Sequence, residues 1–281
     1  MTLANGKTAI QPRRPFSPGS YRYPSEHPIL VVTLTLVLVV IAATAAATVC
    51  GSLLFVALVL VVAYAGTRAQ HSQLIASAPR VTSQSAPRLW ALVQEGIARL
   101  GPEPVEVYVA TSRALNAYTF GLALPKVVVI ESALLQVLDA DELAFVICHE
   151  LGHVRLGHTW LNSLVGGLAG IPSPAMALGV MQLAFLWWNR ACEYSADRAG
   201  LLAAGKPDKA ISALVKIATG GQARSPADME RALQVVEAQG RDFTSQLGEA
   251  MATHPLMARR IAELRRYAAS VAYQRLINVK P

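Results

Sequence analysis

The sequence predicts a mainly α-helical domain with one small β-sheet, set behind an N-terminal transmembrane segment or hairpin. Three observations lead there. From Ile29 to Ala65 no side chain is charged, and ILVVTLTLVLVVIA followed by LLFVALVLVVAYA far exceeds the roughly 20 apolar residues that one bilayer crossing needs. Between Val105 and Ile130, short β-rich runs are separated by turn residues. From Asp139 onward, apolar residues recur at helical spacing almost to the C-terminus.

Composition narrows the function classes. The 281 residues are 53% hydrophobic and only 15% charged, which excludes a disordered chain and gives a mean hydropathy of +0.38, high for a wholly water-borne protein. No fixed period repeats, so solenoids and low-complexity arrays drop out. The formal charge is +7. Its basic residues are scattered without an aromatic-basic recognition motif, so an anionic membrane surface accounts for the excess and no nucleic-acid partner is expected. Cys50, Cys148 and Cys192 form an odd set without a CxxC pair, which argues against a disulfide framework or thiolate metal site and for buried thiols in a reducing compartment.

Residues 1–28, with five prolines and several arginines, read as a disordered cytoplasmic tail. Residues 29–65 are the membrane anchor. As one straight helix they would run about 55 Å against a hydrocarbon core of about 30 Å, whereas a hairpin turning between Thr44 and Ser52 gives two tight spans. The hairpin is favoured. It keeps the basic tail and the Arg68, Arg80 and Arg88 side of the domain together in the cytoplasm at the cell membrane, while a single span would place the domain outside.

Residues 66–281 form the domain. Leu89, Trp90, Val93, Ile97 and Leu100 define an amphipathic helix from Pro87 to Leu100, closed by Gly101. Val105–Val109 and Lys126–Ile130 are strands, with Leu115–Gly121 a third. Helices follow at Asp139–His158, Met181–Ala204, Pro207–Ala218, Pro226–Gln239 and Pro255–Leu276. The stretch from His158 to Arg190 is also free of charge, but Ile171, Pro172, Ser173 and Pro174 cut it into pieces too short to span. It reads as core helices, or alternatively as a re-entrant or interfacial pair with Trp160, Trp187 and Trp188 at the interface.

His149, Glu150, Leu151, Gly152 and His153 form HExxH inside the helix that opens with Asp139 and Glu142 in capping-box spacing. Positions i and i+4 share a helix face, so both imidazoles can converge on one zinc ion while Glu150 points at the attacking water. The apolar neighbours Val146, Ile147, Leu151, Val154 and Leu156 would bury the motif, and a buried polar trio needs a partner. A metzincin would need glycine at 156 and histidine at 159, which here are Leu156 and Thr159. The third ligand is therefore sought in a later helix, where Glu193 and Asp197 lie four apart. Glu193 can ligate, and Asp197 can accept the free N–H of a ligand histidine.

HELGHVRLGH, RACEYSADRAGLLA and THPLMARRIAEL, in this order, resemble the HtpX-like and CAAX-prenyl-protease-like gluzincin metallopeptidases from about residue 85 to the C-terminus. The resemblance implies a zincin-like domain on a membrane anchor, with one Zn2+ per chain on His149, His153 and Glu193. It implies Glu150 as general base and hydrolysis of peptide bonds in membrane-associated or misfolded protein substrates. It also implies that Asn116 and Ala117 form a strand edge beside the cleft. His254 would lie near the metal, as oxyanion donor or as a cap on the open zinc position, and Arg260 would hold the active-site helix or a substrate carbonyl. The chain departs from HtpX in lacking a clear second pair of transmembrane helices, and resembles short relatives with one N-terminal membrane region. Two other readings stay open: a non-catalytic zinc-containing membrane scaffold, against which the intact Glu150 speaks, and a narrow-substrate protease that processes lipidated proteins.

Overall fold

The computed structural model describes residues 15–47, 51–169, 176–223, 225–239 and 257–278. Helix α1 (Glu26–Ala47) and helix α2 (Gly51–Ser77) come first. Residues 48–50, within the turn expected between Thr44 and Ser52, lie outside the described residues. Among the described residues, α1 is the one helix with a window, Glu26–Ala43, long and apolar enough to cross a membrane. It exposes Val31, Leu38 and Val39, and α2 exposes Leu54 and Val61, an apolar surface that suits lipid. Helix α2 does not stop at the end of the charge-free stretch but continues through Arg68 to Ser77.

Residues 15–28 depart from the expected disordered tail. The Phe16 N–H donates to the Arg99 carbonyl at 2.8 Å, Tyr21 is fully buried, and the Tyr267 hydroxyl donates to the Ser20 carbonyl at 3.2 Å. Phe16, Tyr21 and Tyr23 bring enough aromatic surface to pack, a local feature that the average over prolines and arginines conceals. Residues 1–14 lie outside the described residues.

Helix α3 (Pro87–Leu100) matches its expected bounds, and Gly101 closes it with a φ of 59°. Strands β1 (Val105–Ala110), β2 (Ala117–Phe120) and β3 (Lys126–Glu131) form a sheet of order β1-β3-β2. Central β3 runs parallel to β1 and antiparallel to β2. Its run Val127–Ile130 is covered on both faces, which is why it reads as unbroken β-branched residues rather than as alternation.

A short helix, α4 (Ser132–Val137), leads to α5 (Ala140–Leu156). The capping box is formed: Asp139 Oδ1 accepts from the Asp141 and Glu142 N–H groups, both at 3.0 Å, and Glu142 Oε2 accepts from the Asp139 N–H at 2.8 Å. Helix α5 ends one residue short of Gly157, which takes a φ of 81°. The helix expected to reach His158 is thus broken, because a left-handed glycine reverses the chain before a new helix, α6 (His158–Ala169), begins.

Helix α7 (Met176–Ala204) crosses α5, and α8 (Pro207–Ala218), α9 (Pro226–Gln239) and α10 (Met257–Ala268) close around them. The last expected helix is split at Ser270, whose hydroxyl accepts from the Tyr273 N–H and starts α11 (Val271–Asn278). One core joins α3, α5, α8 and α10 beneath β1 and β3. A second, of Ile29, Leu161, Phe185, Trp188, Ala191 and Cys192, joins α1 to α6 and α7. Helix α6 also packs on α2 and α7 on α1. The charge-free pair therefore leans on the N-terminal helices. Trp160 and Trp187 are exposed, whereas Trp188 is buried with its ring edge-on to His158, as the core-helix reading of this stretch expects and its interfacial alternative does not.

Candidate metal centre

Helix α5 puts His149 and His153 on one face, and Gly152 lets α7 approach that helix closely enough to bring Glu193 opposite them. The two Nε2 atoms lie 3.1 Å apart. Glu193 meets them with Oε2 at 3.6 Å from His149 and Oε1 at 3.5 Å from His153. One ligand atom from each residue falls within 4.8 Å of the others, and all three residues are buried. Two imidazole nitrogens and one carboxylate are the three-ligand set of catalytic zinc sites, which keep a fourth position for water or substrate.

Each ring is turned by a contact on its far side. His149 Nδ1 lies 3.0 Å from Asp197 Oδ1, close enough for a bent hydrogen bond that leaves Nε2 aimed at the centre. Asp197 is itself gripped by Arg260, whose Nε and Nη2 donate to its two oxygens at 2.9 and 2.6 Å. Arg260 Nη1 reaches Glu193 Oε2 at 3.1 Å. Burial alone would raise the Asp197 carboxyl, yet the Arg260 guanidinium and the His149 ring outweigh it and hold this acid below its ordinary range. His153 turns its Nδ1 to Nδ1 of His158 at 3.0 Å, and His158 Nε2 lies 3.2 Å from Glu26 Oε1. Burial pushes His158 down to about 4, so its ring is neutral at pH 7.

Glu150 stands one step round α5 and lines a cleft of about 210 Å³ together with Asn116, Ala117, His149, Glu193 and Arg260. Burial raises its carboxyl above the ordinary range. Strand β2, which begins at Ala117, is the sheet's edge strand on this side. Asn116 and Ala117 are thus brought to the cleft. Arg260 reaches it too, with its guanidinium on Asp197 and Glu193, the acids of α7. His254 lies outside the described residues. Cys148 packs where α3 meets α5, close against Gly96, and Cys192 is buried in the second core.

Sequence reasoning missed Glu26, His158 and Ser195 as parts of this centre. A signal existed for one of them: Gly157 after a run of apolar helical positions is a helix stop, which would have turned His158 back toward His153.

Residues 83–268 match the model of peptidase family M48. The plastoglobule-localized metallopeptidase 48, chloroplastic, of Arabidopsis thaliana is 31% identical over 209 residues, which cover 68% of this chain and 59% of that protein. The chain thus spans less than two thirds of that relative. Protease HtpX homologs of Bifidobacterium longum and Pyrococcus furiosus are each 28% identical, over 68% and 67% of this chain and 74% and 76% of their own lengths. The crystal structure of S. mikatae Ste24p is similar with a TM-score of 0.45 at 17% identity, covering 86% of this chain and 63% of that one, a likeness too loose to add to the assignment. The matched residues contain HELGH, Glu193, Asp197 and Arg260 and make up more than half of the sequence, so the chain belongs to peptidase family M48.

Proposed function

We propose that the protein is a membrane-anchored zinc metalloendopeptidase, with α1 and α2 as the anchoring hairpin and residues 66–281 as the peptidase domain on the cytoplasmic side. The observation that carries this reading is the convergence of His149 Nε2, His153 Nε2 and Glu193 at a cleft that Glu150 also lines. Zinc bound there supplies Lewis acidity, which polarises the scissile carbonyl and makes the attacking water more acidic. Glu150 takes a proton from that water and delivers it to the leaving amine. Its burial favours a carboxyl able to hold the proton between those two events. The edge strand β2 suits an extended peptide laid beside Asn116 and Ala117 by backbone hydrogen bonds. Arg260 and Asp197 keep Glu193 and His149 in place, and the family resemblance implies that His254 contacts the oxyanion or caps the open zinc position.

The substrates proposed are membrane-associated or misfolded proteins, reached from the bilayer surface on which the apolar α1 holds the domain. The test is casein hydrolysis by the purified protein in detergent with zinc. Wild type should cleave, and Glu150→Gln should keep its zinc while losing about 10²- to 10⁴-fold in turnover. Full activity in Glu150→Gln would overturn the general-base role; zinc content unchanged in His149→Ala would overturn the metal site.

A further inference from the structure

A histidine can offer Nε2 to a metal only while its other nitrogen carries the proton, and a buried N–H must find an acceptor. For His149 the facing acceptor is the Asp197 carboxylate, 3.0 Å away at a bent angle. Among the described residues, His153 meets no carboxylate on its far side. Its Nδ1 faces Nδ1 of His158, 3.0 Å away, and two like nitrogens can bond only if one donates and the other accepts. With the proton on Nδ1 of His153, His158 must accept through Nδ1 and carry its own proton on Nε2. There, 3.2 Å away and at a bent angle, Glu26 Oε1 is the facing acceptor.

Glu26 is only 1% exposed and is the first residue of α1. The Ser195 hydroxyl donates to its Oε2, and Arg22 pairs with its Oε1. Ser195 Oγ in turn accepts the Tyr23 N–H at 2.8 Å. Glu26 is thus held in place from α7, two residues beyond Glu193. The indole of Trp188 lies edge-on to the His158 ring, with centroids 5.8 Å apart, and leaves that ring little freedom to turn. Without the Glu26 acceptor, His158 is free to put its proton on Nδ1. It would then donate to His153 and force the proton of that ring onto Nε2, the atom that faces Glu193.

We propose that Glu26 and His158 are positioning residues that fix the protonated nitrogen of His153, so that the first turn of the membrane helix is part of the metal centre. This rests on the zinc reading above. It gives the anchor a second task, since a carboxylate at the mouth of a largely apolar helix completes a site on α5.

The test is zinc affinity by chelator competition on the full chain in detergent. His158→Phe should weaken zinc by about 10- to 100-fold, the usual cost of losing an outer hydrogen-bond partner of a ligand histidine. His158→Gln, whose amide oxygen can still accept from His153, should return to within about threefold of wild type. Glu26→Ala, which leaves the His158 ring in place, should weaken zinc by several-fold. It should add nothing to His158→Phe in the double variant, because Glu26 acts through His158. Wild-type affinity in His158→Phe or in Glu26→Ala, or losses that add in full, would overturn the proposal while the zinc reading stands. Absence of zinc binding in wild type would overturn that reading and this proposal together. Should His158→Phe fail to fold, Glu26→Ala compared with wild type still decides.

Discussion

Gly152 and Ala199 meet where α5 crosses α7, so closely that a β-carbon on Gly152 would lie 2.7 Å from the Ala199 β-carbon. A β-carbon here would force Ala199 or the helices themselves to shift. The contact sits one residue before His153 and two after Asp197, so it sets the spacing between the histidine pair and the acids of α7. Gly152→Ala should therefore cost about 1–3 kcal/mol by overpacking and weaken zinc as well. Ala199→Gly added to it should recover part of both. Denaturation and chelator competition on the single and double variants check this; a Gly152→Ala protein with unchanged zinc affinity would refute the spacing argument.

Arg260 is 8% exposed and holds two carboxylates at once. Arg260→Met leaves Asp197 and Glu193 buried together without their cation, and breaking such a pair from one side costs about 3–5 kcal/mol. Zinc would neutralise part of that charge. The expected result is a loss of stability measured without metal that is smaller when zinc is added. Asp197→Asn keeps an acceptor for His149 but loses the charge, and should weaken zinc by about 10- to 100-fold.

The start of α5 can be tested apart from the metal. Asp139 caps two backbone N–H groups and also pairs with Lys209. Asp139→Ala should cost about 1 kcal/mol in denaturation, the usual price of a lost N-cap. Lys209→Ala should cost well under that, because its pair is exposed and water screens it. Equal losses for the two variants would mean that the ion pair, not the cap, holds the helix start.

Tyr21 is fully buried ahead of α1, and Ser20 accepts from Tyr267 on α10. Tyr21→Ala should destabilise by about 3–5 kcal/mol, as for other large buried side chains cut back to alanine. A chain starting at Arg68 would lose Tyr21 and Glu26 together with the anchor. It should leave the membrane fraction as a poorly folded protein that holds little zinc. A stable, zinc-loaded soluble fragment would show that residues 15–28 are dispensable.

Much of the centre was legible because its logic is local. The histidine pair and the Glu193–Asp197 pair are each four apart on one helix, and the spacing that puts them on one face belongs to helix geometry itself. The capping box at Asp139, the proline-opened helices α3, α8 and α9 and the apolar run of α1 are local in the same way: each is decided by neighbours within a few residues. What joins the pieces is not local. Glu26 and His158 are far apart in the chain, and no periodicity relates them. They meet because Gly157 turns α6 back behind α5 and because Ser195 and Arg22 bind the Glu26 carboxylate at the head of α1. The fate of Trp188, the break at Ser270 and the capture of Arg260 by two acids were likewise decided by packing between distant elements. A sequence determines which faces its helices can present; which faces then meet depends on how closely the backbones approach, and here that distance is set by a glycine against an alanine.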